Sequence, residues 1–197
     1  MSRPKTKKII FVCTGNTCRS PMAEILLKNK LEQMGIKSVK ALSAGLAAKN
    51  GDSINRLAEL VLKENGLSCE KFSSTLLTEK MLRESFAVVC MTESQRDIVM
   101  DMRWHALRGT GAEEIENNVY SFPEISGYEI YDPYGKDQEC YRYVFGLLEV
   151  GMSALIEKFE LKPLIKTTKK PKKEGEVNTP PKKRGRPKKK EEKGEEI

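Results

Sequence analysis

Residues 8–24 read KIIFVCTGNTCRSPMAE. Lys8 to Cys13 is a short, β-rich apolar run with a charge before it and Gly15 just after, which suits a buried strand of a parallel sheet. Pro21 then opens PMAEILLKNKLEQMG, with apolar residues at Met22, Ile25, Leu26 and Met34. Proline is favoured at the first helical position, and Gly35 suits the C-terminal cap. A strand, a loop of a few polar residues and a helix therefore follow one another directly.

The same alternation continues along the chain. The pattern predicts a weak strand over Ser38 to Ser43, an amphipathic helix over Ser53 to Glu64 ended by Asn65-Gly66, and a short helix over Thr78 to Arg83 capped by Thr78. A third strand (FAVVCM) is expected over Phe86 to Met91, a helix over Thr92 to Asp101, a fourth strand over Val119 to Phe122, and a long helical pattern over Lys136 to Phe159. Strands alternating with helices imply an α/β layer fold with a mostly parallel sheet. RWHALRGTGAEE, residues 103–114, reads as a loop, which makes His105 a surface residue rather than a base.

Charge divides the chain of 197 residues unevenly. From Lys162 to Ile197 there are 14 Lys or Arg against 6 Asp or Glu, which leaves 21 against 22 before them. The basic excess thus belongs to the tail, and an anionic partner is an inference for the tail alone. After Leu161 the apolar pattern stops, so residues 1–161 are expected to form one domain and 162–197 a disordered basic, Lys/Pro-rich tail. No apolar run approaches the ~18 residues of a membrane span, and the basic start is too briefly followed by apolar residues for an export signal. The expectation is a cytoplasmic monomer with no membrane contact. The five cysteines are an odd number. With no CxxC pair and His105 the sole histidine, they read as thiols, not as disulfides or a zinc site. Cys69, Cys90 and Cys140 lie in or beside apolar patterns and read as core or helix thiols.

Cys13-Thr14-Gly15-Asn16-Thr17-Cys18-Arg19-Ser20 carries the chemistry. The bare pattern of a cysteine, five residues, an arginine and a hydroxyl residue would recur in roughly one shuffled chain in thirty, so its placement between strand and helix is what matters. A loop entering a helix N-terminus aims backbone N–H groups and the positive end of the helix dipole at one point, which fits a phosphate. Arg19 adds a planar two-pronged donor matched to phosphate oxygens. The same field favours a thiolate, so Cys13 is the candidate nucleophile. Gly15 allows close backbone approach, and Ser20 is placed to donate a hydrogen bond to the sulfur. A leaving group needs an acid, and Asp132 in Tyr131-Asp132-Pro133-Tyr134-Gly135 is the candidate, on a turn between the last strand and the last helix. Tyr131 and Tyr134 form a candidate aromatic wall beside it.

Residues 8–24, the Ser43-Ala44-Gly45 triplet, the Met91-Thr92 pair and the Asp132-Pro133-Tyr134 loop together resemble the low-molecular-weight protein tyrosine phosphatases, over about residues 7–160. The resemblance implies a three-layer α/β/α fold with a four-stranded parallel sheet, Cys13 as nucleophile, Arg19 binding the phosphoryl group and Asp132 as general acid. It implies phosphorylated protein substrates, a substrate loop of Thr14, Gly15, Asn16, Thr17, Cys18 and Ser20, loop support from Asn16 and Ser43, and no metal or other cofactor. Cys18 is similar to the family's second loop cysteine, which implies either a reversible disulfide with Cys13 or a small loop filler. Lys71 departs from the histidine that many members carry at about that place. Thr17 resembles the threonine of bacterial protein arginine phosphatases, where tyrosine-specific members commonly have isoleucine. That favours phosphoarginine over phosphotyrosine, although Tyr134 would equally flank a tyrosine ring.

Three other readings compete. An arsenate reductase of this fold needs two further cysteines close together near the loop, and Cys90 has no near neighbour after it. A phosphate-binding module without activity is at odds with Cys13, Arg19, Ser20 and Asp132 being present together. A DNA-associated protein rests on residues 182–189, KKRGRPKK, which resemble an AT-hook whose arginines enter narrow A·T minor grooves. In a tail this rich in lysine, arginine and proline, a solvated, non-specific polyelectrolyte is the simpler reading of that run.

Overall fold

The computed structural model describes residues 6–109 and 117–163. Its units are Met1–Ile165 and Lys166–Ile197, and the second, with the 182–189 segment, lies outside the described residues.

Four parallel strands, β1 (Lys7–Cys13), β2 (Val39–Gly45), β3 (Ala87–Cys90) and β4 (Val119–Ser121), form one sheet in the order β2-β1-β3-β4. Among the described residues, six helices connect and follow them: α1 (Arg19–Gln33), α2 (Arg56–Glu64), α3 (Glu79–Glu84), α4 (Glu93–Leu107), α5 (Phe122–Ser126) and α6 (Gln138–Lys158). Ile9 through Val12 of central β1 are fully buried. Side chains alternate across a strand, so Ile9, Phe11 and Cys13 join one core with Met22 and Leu26 of α1 and Tyr141 and Leu148 of α6. Ile10 and Val12 join a second core with Leu82 of α3 and Val99 of α4. The sheet is thus covered on both faces, the expected α/β/α layering. The strand order reverses between β1 and β3, and in such sheets the crevice beyond the strand ends at that reversal is where ligands bind.

Several boundaries differ from the sequence reading for physical reasons. Helix α1 starts at Arg19, two residues before Pro21, because a proline is tolerated anywhere in a first turn whose N–H groups have no intrahelical acceptor. Phe122, expected at the end of a strand, instead begins α5. Ser121 caps that helix in a reciprocal capping box with Glu124, a signal legible as Ser-Phe-Pro-Glu. The loop expected from residue 103 is helical as far as Leu107. His105 therefore sits on the exposed side of α4, 3.6 Å from the carboxylate of Asp101 one turn earlier.

Gly151 of α6 is where the last helix meets α5. A Cβ there would lie 2.7 Å from Ser126 Cβ and 2.8 Å from Cζ of the fully buried Phe122. Gly151→Ala is expected to destabilise the fold by about 1–3 kcal/mol, as overpacking does, despite alanine's better helix propensity. Urea unfolding checks this, and a stabilised variant would refute the packing argument.

Candidate active site

The loop after β1 closes on itself through one residue. Asn16 has φ +54°, the left-handed region that asparagine tolerates better than most residues, and it is fully buried. Its Oδ1 accepts the backbone N–H of Thr75 at 2.7 Å. Its Nδ2 donates to Ser20 Oγ and to Ser43 Oγ, each at 2.9 Å. Ser20 Oγ in turn lies 2.9 Å from Cys13 Sγ. Cys13, Arg19 and Ser20 are 3%, 5% and 0% exposed, so the thiol and its neighbours are held rather than waving in solvent.

Helix α1 begins in this loop and differs from the others at its start. Helices α2 to α6 each have a side-chain cap, from Asn55, Thr78, Thr92, Ser121 and Asp137, and each has an acid in its first turn. Helix α1 has Cys18 at its cap position, no side-chain cap bond and no acid in its first turn. Its N–H groups and dipole are left facing the loop, which suits an external anion. Arg19 Nη2 donates to Asp132 Oδ2 at 2.6 Å, joining residues 113 apart in sequence, while Asp132 Oδ1 accepts the backbone N–H of Tyr134 at 3.2 Å. The aspartate side chain is half-exposed, so it faces both the arginine and solvent.

The remaining residues singled out in the sequence surround this centre. Thr14 is exposed, Gly15 and Thr17 are half-buried, and Tyr131 and Tyr134 are exposed near Asp132 in sequence. Tyr131 packs against Tyr143 of α6 with ring centroids 6.2 Å apart. Within the chain itself, the tightest backbone approach in this region is at Gly45. A Cβ on Gly15 would meet only Thr17 Oγ1 at 3.6 Å, whereas one on Gly45 would lie 2.6 Å from the Thr14 carbonyl and 2.9 Å from the Asn16 nitrogen. Cys18 Sγ contacts the hydroxyl of buried Tyr141 at 3.3 Å, and burial pushes the Cys18 thiol up against the opposing pull of that contact. Cys13 and Cys18 are both free thiols. Cys90 lies fully buried in β3 with its thiol pushed up to about 12 by burial, as befits a core residue.

Two side chains were missed. Gln95 of α4 donates from Nε2 to Thr14 Oγ1 at 3.1 Å. Glu24 of α1, 7% exposed, accepts from Ser43 Oγ and pairs with Lys28. The available signal was an acid flanked by Ala23 and Ile25 in a run, Pro21 to Leu27, that is otherwise apolar. Glu24, Lys28, Ser43 and Lys71 line a cavity of about 510 Å³ that none of Cys13, Arg19 and Asp132 borders. Among the described residues, no helix is long and apolar enough to cross a membrane.

A cysteine at a strand end, an arginine at an uncapped helix start and a facing aspartate thus come together at one edge of the α/β sheet. The model of the family of low molecular weight phosphotyrosine protein phosphatases matches residues 8–167. A protein-arginine-phosphatase of Geobacillus stearothermophilus is 35% identical over 78% of this chain and 96% of its own length. A probable low-molecular-weight protein-tyrosine-phosphatase, AmsI of Erwinia amylovora, is 34% identical over 72% of this chain and 89% of its own. The solved structure of a cysteine-to-serine mutant of YwlE arginine phosphatase, with a phosphorylated active-site serine, matches with a TM-score of 0.68 and 29% identity over 78% of this chain and 95% of that one. The chain belongs to the low-molecular-weight phosphotyrosine protein phosphatase family and is a hydrolase of that type.

Gly45→Ala is expected to push the Thr14–Asn16 backbone aside. Misplacement of about an ångström at a reacting centre costs on the order of 100-fold in rate, so turnover of p-nitrophenyl phosphate should fall by about that factor. Retention of full activity would show that the loop does not need this close approach.

Proposed function

We propose that the protein dephosphorylates protein side chains through a phosphocysteine intermediate, with phosphoarginine favoured over phosphotyrosine. The observation that carries the reading is the start of α1, which has neither cap nor acid and lies beside the buried Cys13 and Arg19. In the first step the Cys13 thiolate attacks phosphorus, a P–S bond forms and the P–O or P–N bond to the side chain breaks. Asp132 gives its proton to the departing oxygen or nitrogen. In the second step Asp132 takes a proton from water as the water oxygen attacks phosphorus, and the P–S bond breaks to release phosphate. Ser20 donates to the sulfur as it leaves. Arg19, the α1 N–H groups and the amides of Thr14 to Cys18 hold the phosphoryl oxygens throughout. The phosphorylated serine of the YwlE mutant supports a covalent intermediate at the equivalent position of that relative. Two free loop thiols suit a reducing cytoplasm.

Thr17 supports the arginine preference, together with the similarity to a protein-arginine-phosphatase. A hydroxyl there accepts guanidinium N–H groups that an aliphatic side chain would leave unpaired, and unpaired buried donors are costly. Hydrolysis of phosphoarginine and phosphotyrosine peptides side by side tests both parts. Cys13→Ser is expected to abolish turnover, and Thr17→Ile to move the preference toward phosphotyrosine. Native preference for phosphotyrosine would end the arginine reading alone, and a turning-over Cys13→Ser variant would end the mechanism.

A weak DNA contact through residues 182–189 is the second element of the proposal, carried by the Gly185-Arg186-Pro187 core with its basic flanks within a tail of net positive charge. The full chain should bind A·T-rich duplexes with an affinity that falls steeply with salt, and paired Arg184→Ala and Arg186→Ala substitutions should remove the preference for A·T sequence. Equal affinity for G·C-rich duplexes would leave only a non-specific polycation.

A further inference from the structure

Helix α6 turns Tyr141 and Leu148 into the core, and it carries a second apolar stripe on its flank. At about 100° per residue, Tyr143, Leu147, Val150 and Ala154 fall within about 60° of one another around the helix. Tyr143 and Val150 are 57% and 58% exposed, and Leu147 and Ala154 are half-buried. Tyr131 stands at one end of this stripe. Its ring centroid lies 6.2 Å from that of Tyr143, and the next residue is Asp132, whose carboxylate holds Arg19. The stripe therefore begins at the mouth of the active site and leads off along α6 for about 16 Å, at about 1.5 Å per residue from Tyr143 to Ala154.

Gly146 lies on the same flank, one turn from both Tyr143 and Val150. A glycine inside a helix weakens it relative to alanine. Gly151 has a reason within the fold, because a Cβ there would strike Phe122 and Ser126. Gly146 has no such reason, since a Cβ there would meet no heavy atom within 4 Å. Its missing side chain leaves a notch between Tyr143 and Val150 where another chain can come close to the helix.

Charge sets the kind of chain that fits. Both cations of α6 are engaged, Arg142 by Glu64 and Glu139, and Lys158 at 4.7 Å from the Tyr120 ring. Glu149 and Glu157 are exposed beside the stripe and have no ion pair among the described residues. An apolar strip with an acidic border is complementary to apolar residues accompanied by basic ones.

We propose that the α6 stripe from Tyr143 to Ala154 is a docking surface for the segment flanking the phosphorylated residue of a protein substrate, and that it selects aliphatic residues accompanied by lysine or arginine. The inference rests on the reading that the protein dephosphorylates protein side chains. A phosphorylated side chain seated at Cys13 brings its own backbone to the mouth of the site, where Tyr131 and Tyr143 stand. An extended segment advances about 3.3 Å per residue, so about five flanking residues cover the length of the stripe. Contacts so far from the reacting phosphorus are the same in the bound substrate and in the transition state, so they act on capture and not on the chemical step.

Kinetics with paired phosphopeptides separate docking from catalysis. Each pair carries phosphoarginine or phosphotyrosine at its centre, one member flanked by leucine, valine and lysine and the other by glycine and serine. p-Nitrophenyl phosphate serves as the substrate with no flank. The native chain is expected to favour the aliphatic and basic member by about tenfold in kcat/KM, the weight of one well-buried aliphatic side chain, with the difference carried by KM. Val150→Glu places a charge on the stripe, and Gly146→Leu fills the notch. Each should erase the preference and leave turnover of p-nitrophenyl phosphate unchanged, and the exposed valine and the open space at Gly146 let both variants fold. Equal kcat/KM for the two members of a pair, or a preference that survives both substitutions, would overturn the proposal. So would inhibition of peptide hydrolysis by an added synthetic peptide of residues 166–197 that Val150→Glu abolishes, which would assign the stripe to the chain's own tail. A dimer in solution that Val150→Glu breaks would assign it to a second copy instead. Should p-nitrophenyl phosphate be hydrolysed and every peptide left intact, the failure belongs to the protein-phosphatase reading, and the docking surface falls with it.

Discussion

The left-handed turn at Asn16 is the constraint on which the loop and its surroundings depend. A residue at φ +54° without a glycine's freedom is held there only if its side chain is over-determined, and the amide of Asn16 has three hydrogen bonds on three different segments. Ser20 belongs to α1, Ser43 to β2, and Thr75 to the stretch that bridges to the end of β2 through Gly45 and Leu76. The Gly45 N–H donates to the Thr75 carbonyl at 2.9 Å, and its carbonyl accepts from Leu77 at 2.9 Å. The end of β2 is therefore fastened on one side to that stretch and pressed on the other against the Thr14 carbonyl. A side chain at position 45 has nowhere to go.

Electrostatics follows from the same arrangement. Arg19 is almost fully buried and would be costly as a lone cation, so Asp132 holds it in this structure. In the proposed reaction a phosphoryl group takes over as partner of the guanidinium, and the aspartate turns to the leaving group. The buried cation then keeps an anion beside it in both states, so binding exchanges one ion pair for another. Half-exposure of Asp132 permits that movement, since among the described residues Arg19 and the turn amide of Tyr134 hold its oxygens.

Much of this was legible in the sequence because the signals were local. A strand pattern, a loop of fixed length and a helix pattern in direct succession determined where Cys13 and Arg19 lie relative to one another. What was not legible depends on contacts between distant segments. The pairing of Arg19 with Asp132 was approached only through the rule that loops at one edge of a parallel sheet can meet. Gln95 carries no local mark separating it from solvated helix residues and Glu24 has only its apolar flanks, while their importance comes from Thr14 and Ser43, 81 and 19 positions away. Helix ends failed for a related reason. Nothing in RWHAL halts α4 before Leu107, and a reading by composition gave too much weight to the glycines that follow it.

The start of α1 shows how a site that opposes stability is maintained. A missing N-cap costs about 1 kcal/mol, and a non-glycine residue in the left-handed region costs roughly 1–2 kcal/mol more. Opposing these, α1 buries all nine residues from Arg19 through Leu27 between the sheet and the neighbouring helices. Burial of the large apolar side chains alone contributes about 1.5–3 kcal/mol each, and Met22, Ile25, Leu26 and Leu27 are four of them. The helix is thus fixed by its packed flank, and its N-terminus is freed from any need for a cap of its own. That freedom is what leaves its amides for an anion. It also explains how an acid can be buried at Glu24, since a helix so firmly seated can carry a carboxylate inward as far as Ser43.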